Sequence, residues 1–106
     1  MMLPPEPCPD CDKLVFVIAE TGTDSQVRDL LKSLGLEHYT LLEQVKGSGE
    51  TGRKDGDAIF PGINTVMMIA LDSEKLPALI TGLHEIRDSF IIRPGMKVIV
   101  TDCVMY

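Results

Sequence analysis

The feature that most constrains the fold is an order of apolar patterns that occurs twice in a chain of 106 residues. In each half, a strand-like apolar run precedes a stretch of helical period, and a second strand-like run follows. The first half reads KLVFVIA, TDSQVRDLLKSLGL and HYTLLEQV, and the second reads NTVMMIAL, DSEKLPALITGLHEIRDSF and MKVIVTDCVM. Short β-branched runs indicate strands, whereas apolar residues at i, i+3, i+4 and i+7 indicate amphipathic helices. The order predicted is therefore β-α-β, then β-α-β.

Two such halves predict an α+β fold of the ferredoxin-like βαββαβ type, with a four-stranded antiparallel sheet and two helices on one face. Thr23 followed by Gln26 predicts a capping box at the start of the first helix. Gly35 stands where a helix end favours a left-handed residue. Gly82, inside the second helix, is a weak point of that pattern, since glycine costs about 1 kcal/mol there relative to alanine.

The sheet is apolar on both of its faces. The first and third strands carry apolar residues on both sides, including Val15, Val17, Val66 and Met68. Two helices cover only one face, so we expect the bare face to pack against other subunits.

Composition limits the class of protein. A formal net charge of −6 argues against nucleic acid as a partner bound by bulk electrostatics. The sequence has no apolar run of transmembrane length and does not begin like a signal peptide, so we expect a cytoplasmic protein without direct membrane insertion. Residues 1–11 are rich in proline and predict a flexible tail, and residues 12–106 predict a single domain with a long loop at 46–63.

Five of the nine glycines lie between Val45 and Gly62, in a stretch without hydrophobic period. Loops of this length in compact domains are usually functional or disordered. The segment GSGETGRK resembles a phosphate-binding P-loop, but Arg53 replaces the lysine and no helical pattern follows. We therefore reject a nucleotide-hydrolysing site of that kind.

The strand order, the sequence EQVKGSG before the long loop and the sequence RPGMKVIV at the last strand resemble the PII signal-transduction superfamily, which includes the similar CutA-like trimers. The resemblance implies a homotrimer that binds a small effector, such as an adenine nucleotide, in clefts between subunits. It also implies that the 46–62 loop, which would correspond to the T-loop of PII proteins, signals to a regulated transporter or enzyme.

The resemblance implies two sets of site residues. Those at the loop base and the turn before the last strand would bind the nucleotide phosphates: Lys46, Gly47, Ser48, Gly49, Gly95 and Lys97. Those in the loop would contact the partner: Glu50, Arg53, Lys54 and Asp55. The chain lacks the loop tyrosine and the arginines after the last strand that typical members use. The missing arginines argue against tight ATP binding, so the effector stays open among ADP, AMP, a cyclic nucleotide and another small anion.

The three cysteines suggest an alternative, a metal-responsive protein. Cys8 and Cys11 have the C-x-x-C spacing that suits a metal or a redox pair. A redox pair of the thioredoxin type opens a helix, whereas this pair precedes a strand, so we favour a divalent metal over redox chemistry. Cys103, His38, His84 or a neighbouring subunit would supply the further ligands. Incidental tail cysteines are the competing interpretation.

The sequence shows no constellation of catalytic residues, since its two histidines lie in no nucleophile–base motif. We expect a regulator and not an enzyme. The remaining alternative is a small ferredoxin-like enzyme that assembles as a dimeric barrel, which a measurement of mass would distinguish from a trimer.

Overall fold

The computed structural model describes residues 6–20, 22–36, 38–46 and 63–106. The described residues form four strands and two α-helices in the predicted order. These are β1 (Lys13–Glu20), α1 (Asp24–Ser33), β2 (Tyr39–Lys46), β3 (Ile63–Leu71), α2 (Leu76–Asp88) and β4 (Met96–Asp102). A single 3₁₀ turn, Ser73–Lys75, leads into α2.

The strands form one antiparallel sheet in the order β2-β3-β1-β4. One row across it joins Leu41, Met67, Val17 and Val98, which are partners in the strand register. Side chains directly opposite each other in such pairs lie on the same face. The fold class predicted from the sequence, a ferredoxin-like βαββαβ sheet, is confirmed.

The core lies between one sheet face and the two helices. Alternate positions of β1 and β3 are buried there, and the helices contribute Val27, Leu31, Leu79 and Leu83. Full burial of such side chains contributes about 1.5–3 kcal/mol each. The apolar residues that recur every second position in the strands therefore pack against those that recur with a 3.6-residue period in the helices.

Gly82 lies where the two helices approach each other. A Cβ atom at this position would lie 2.6 Å from Cδ1 and 2.7 Å from Cδ2 of Leu30 on α1. Real Cβ contacts are essentially never so short. The glycine that weakens the helical pattern thus makes room for the leucine of the neighbouring helix.

The helix ends follow the sequence in part. Gly35 adopts a φ of 70°, as the left-handed end of α1 requires. The capping box is wrong: Thr23 is the N-cap residue, but its side chain makes no capping hydrogen bond to the described helix. Its buried hydroxyl donates to the carbonyl of Glu20 (3.2 Å), and the Gln26 side chain accepts from Ser25 instead.

The second face of the sheet carries no helix among the described residues. Leu14, Phe16, Ile18, Val66 and Met68 are half-buried there, and Leu42 and Ile99 are exposed. The apolar character predicted for this face is present in the structure, and its burial by other subunits stays a prediction.

No helix within the described ranges has the length and apolar character needed to cross a membrane.

Candidate functional site

The two ends of the sheet carry different chemistry. At one end of the sheet, β1 and β2 finish and β3 and β4 begin, and we call this end the loop end. There, Lys46 pairs with Ile63 and Glu20 pairs with Asn64. The strand register therefore places the base of the 46–62 segment and the turn before β4 at the same end of the sheet.

Glu20 fixes the turn before β4. The Gly95 N–H donates to the Oε1 atom of Glu20 (2.7 Å), and the Glu20 N–H donates to the Gly95 carbonyl (3.0 Å). A carboxylate that accepts a backbone N–H makes a charge-assisted bond, which is stronger than a neutral one. The two bonds hold Gly95 against the end of β1, and with it the first residues of β4.

Lys97 lies on the sheet face opposite the core. Its strand neighbours Met96 and Val98 pack against the core, and its partner across the sheet is Ile18. The exposed Lys97 lines a surface groove of about 640 Å³ at the edge of β4. His84 and Arg87 of α2 line the same groove, which we call the basic groove.

An arginine pair beside the basic groove was not among the predicted site residues. Asp88 Oδ1 lies 3.0 Å from Arg93 Nη2 and 3.5 Å from Arg87 Nε. The Arg87 Nε atom is buried and has no hydrogen-bond partner among the residues that the structure describes. In the sequence, Arg87 is a basic residue in the last turn of the second helix. A basic residue there also interacts favourably with the helix dipole, so its position alone did not indicate a ligand.

The residues predicted to bind the nucleotide or the partner fall into two groups. The backbone of Lys46 ends β2, and Gly95 and Lys97 lie at the start of β4, all at the loop end. Gly47, Ser48 and Gly49, and the predicted partner contacts Glu50, Arg53, Lys54 and Asp55, lie outside the described residues.

One chain does not bring Lys46 and Gly95 together across the sheet. They belong to β2 and to the turn before β4, which are the two edges of the sheet. Three inter-strand spacings of about 4.8 Å separate these edges by about 14 Å. A phosphate can therefore contact a β2 edge and a β4 edge only where the two edges belong to different chains. The cleft expected between subunits has this arrangement.

The three cysteines lie at the opposite end of the sheet, which we call the thiol end. Cys11 is 2 % exposed, and the Cys103 thiol donates to its carbonyl (3.6 Å). Burial, followed by a hydrogen bond with Cys8 and nearby negative charge, raises the pKa of Cys11 to about 11. Among the described residues, no three His, Cys, Asp or Glu side chains are grouped so that they could hold a metal ion.

The topology and the loop-end site define the class of protein as a ferredoxin-like α+β domain with a candidate anion site at a sheet end. The sequence model of the family Nitrogen regulatory protein P-II matches residues 12–102. The chain therefore belongs to the P-II family, as its sequence predicted. None of the curated proteins is significantly similar to it in sequence.

Solved structures share the fold. CPII, a nitrogen regulatory PII-like protein from Thiomonas intermedia, bound to ADP, AMP and bicarbonate, is similar with a TM-score of 0.71 and 20% identity, over 89% of this chain and 87% of that one. A functionally unknown protein from Pediococcus pentosaceus has a TM-score of 0.64 and 17% identity, over 91% and 95%. A DUF3240 family protein from Shewanella baltica has 0.64 and 17%, over 86% and 88%.

Proposed function

We propose that this protein is a trimeric PII-like regulator that binds an adenine nucleotide at the loop end and signals through the 46–62 loop. The observation that carries the proposal is the pair of hydrogen bonds between Glu20 and Gly95, which fixes Lys97 beside the basic groove. Membership of the P-II family supports a regulatory role, and the bound ADP and AMP of CPII support the choice of nucleotide.

The phosphates bind to cations at the edge of β4. Lys97 supplies one positive charge, and Arg87 supplies a guanidinium that suits phosphate geometry. The Gly47–Gly49 backbone of a neighbouring chain approaches the same phosphates, since glycine allows close approach.

Binding produces a signal only if the nucleotide prefers one conformation of the 46–62 loop. In our proposal the occupied cleft favours the conformation that binds or releases a partner protein, such as a transporter or an enzyme. Glu50, Arg53, Lys54 and Asp55 make the contact. The mechanism includes no catalytic step.

The trimer buries the second face of the sheet. Ile91 and Ile92, in the turn after α2, are 103% and 86% exposed in the single chain, and Ile99 on the second face is 50% exposed. Exposed apolar patches of this kind mark contacts between proteins. The same assembly brings the β2 edge of one chain to the β4 edge of the next.

The test is a thermal-shift series with ATP, ADP, AMP and cyclic AMP on the full chain. A nucleotide at 100 times its dissociation constant stabilises a protein by about 2.7 kcal/mol, which is several degrees for a domain of this size. We expect Lys97→Ala to reduce the shift, and Lys32→Ala, which removes an exposed lysine of α1, to leave it unchanged. Equal shifts in both variants would contradict the assignment of Lys97.

A further inference from the structure

The last residue of β1, Glu20, places a carboxylate among the residues proposed to bind phosphates. Its Oε1 atom accepts the N–H of Gly95 at 2.7 Å, and Gly95 precedes Lys97 by two positions in the chain. Two residues of extended chain span about 7 Å. A negative charge is therefore held close to the lysine that is proposed to attract the nucleotide.

The strand register places Glu20 and Lys97 on the same face of the sheet. Lys97 pairs with Ile18, and Glu20 follows Ile18 by two positions in β1, so both β1 residues lie on that face. Diagonal neighbours of this kind on antiparallel strands lie about 7–8 Å apart. Since the Debye length at physiological ionic strength is about 8 Å, salt only partly screens charges at this separation.

Hydrogen bonds fix the position of Glu20 in its side chain and in its backbone. The side chain accepts from Gly95, the Glu20 N–H donates to the Gly95 carbonyl (3.0 Å), and the Glu20 carbonyl accepts from the buried Thr23 hydroxyl (3.2 Å). A backbone N–H is a neutral donor, so its bond orients the carboxylate without removing the charge. The charge is thus a built-in part of the turn before β4.

A second carboxylate near the basic groove has a different electrostatic setting. Asp88 Oδ1 lies 3.0 Å from Arg93 Nη2 and 3.5 Å from Arg87 Nε. Two guanidinium groups therefore balance the charge of Asp88, which contributes little net repulsion toward a bound anion.

We propose that Glu20 is a specificity-determining residue that selects against nucleotides with more phosphate charge, so that AMP and ADP are favoured relative to ATP. The inference rests on the proposed nucleotide site. Each added phosphate brings further negative charge, which Lys97 attracts and Glu20 repels. The fixed carboxylate thus reduces the gain in affinity that a longer phosphate chain would otherwise give.

The size of the effect follows from the separation of the charges. Removal of one unit charge about 7 Å from another changes an equilibrium constant by about threefold at the dielectric constant of water, and by about sevenfold at half that value. ATP brings more than one additional charge relative to AMP. We therefore expect Glu20→Gln to raise the ratio of ATP affinity to AMP affinity by about fivefold.

The test measures the calorimetric affinities of AMP, ADP and ATP for the full chain. The buffer keeps the phosphates fully ionised and contains a metal chelator, so that no cation neutralises them. Glu20→Gln removes the charge and retains an acceptor oxygen for the Gly95 N–H. Any loosening of the turn acts on the three nucleotides alike, whereas the lost repulsion acts most on ATP. The affinity ratio therefore separates the charge of Glu20 from its structural role.

Glu74→Gln is the matched control, since it makes the same change in net charge at an exposed residue of the thiol end. The eight residues of β1 separate the two ends of the sheet by about 23 Å, well beyond the Debye length. The ratio should be unchanged in this variant.

The outcomes distinguish this inference from the proposed function. If the wild type and Glu20→Gln bind nucleotides with the same affinity ratio, Glu20 is not the selecting residue, and the nucleotide site itself stands. An equal rise in the ratio in Glu74→Gln would likewise overturn the assignment, because net charge alone would explain it. If neither the wild type nor Glu20→Gln binds any of the three nucleotides, the proposed function and this inference both fail.

Discussion

Gly82 gives the sharpest test of how the helices pack. Replacement of a helical glycine by alanine normally stabilises a protein by about 0.8–1.0 kcal/mol. Here the new Cβ atom would lie 2.6 Å from the Leu30 Cδ1 atom, so the leucine must move. Overpacking of this kind costs about 1–3 kcal/mol. We therefore expect Gly82→Ala to lower the free energy of unfolding by about 1 kcal/mol, the net of the two effects.

The sign should reverse once the obstacle is removed. In a Leu30→Ala background, the atoms that a Cβ at Gly82 would meet are absent. Gly82→Ala should then stabilise the protein by about 1 kcal/mol, the gain in helix propensity alone. The coupling energy between the two positions is therefore about 2 kcal/mol, which lies within the range for residues in contact.

The assay is urea denaturation of the four proteins of this cycle at one protein concentration. Thr81→Ala is the matched control, because Thr81 is the exposed neighbour of Gly82 in α2 and reports helix propensity alone. It should stabilise the protein by up to about 0.7 kcal/mol. If Gly82→Ala stabilises the wild-type protein as much as it stabilises the Leu30→Ala variant, the close approach of the helices is refuted.

Three further predictions concern the second sheet face, the turn before β4 and the thiol end. Ile99→Glu places a charge on the apolar face and should reduce the mass in light scattering from three chains to one, whereas Gln26→Glu on the exposed side of α1 should not. Glu20→Ala removes the acceptor of the Gly95 N–H and should cost about 1–3 kcal/mol in urea denaturation, while Glu20→Gln keeps an acceptor oxygen and should lose less. The pKa of Cys11 is raised in the folded protein from 9.0 to about 11, so its contribution to stability is complete below pH 9.0 and is lost as the pH rises through about 11. Under reducing conditions, Cys11→Ser should show a smaller alkaline loss of stability than the wild type, and an equal loss would contradict the shift.

The sequence predicted the fold because its signals are local. The runs KLVFVIA and NTVMMIAL and the two amphipathic stretches each specify an element without reference to distant residues. The capping box failed because Thr23 had a competing partner, the carbonyl of Glu20. A side chain with two available backbone partners cannot be assigned from spacing alone.

The site was less predictable because its contacts join distant positions. Lys46, Gly95 and Lys97 came from the family resemblance, and the strand register places them at one end of the sheet. Glu20 was missed, since it bonds to a residue 75 positions away. Arg87 was missed because a basic residue at the end of a helix has an ordinary structural explanation.

The N-terminal cysteines show the same limit. Residues 1–11 read as a tail, and nothing in their pattern indicates the hydrogen bond from Cys8 to Met105, almost at the other end of the sequence. Only the antiparallel pairing of β1 with β4 brings the two ends of the chain together. Contacts that depend on such pairing become visible once the sheet order is known.

The proposed nucleotide site is tested most directly by calorimetric titration of ADP, and separately of AMP, into the full chain, with Lys97→Ala and Lys32→Ala measured alongside. We expect saturable binding with one nucleotide per chain. Loss of a charge-assisted phosphate contact, about 1.5–3 kcal/mol, should weaken the affinity of Lys97→Ala by at least about tenfold. Lys32→Ala should bind as the wild type does. Absence of binding by ADP and AMP in the wild type, or an unchanged affinity in Lys97→Ala, would contradict the proposed site.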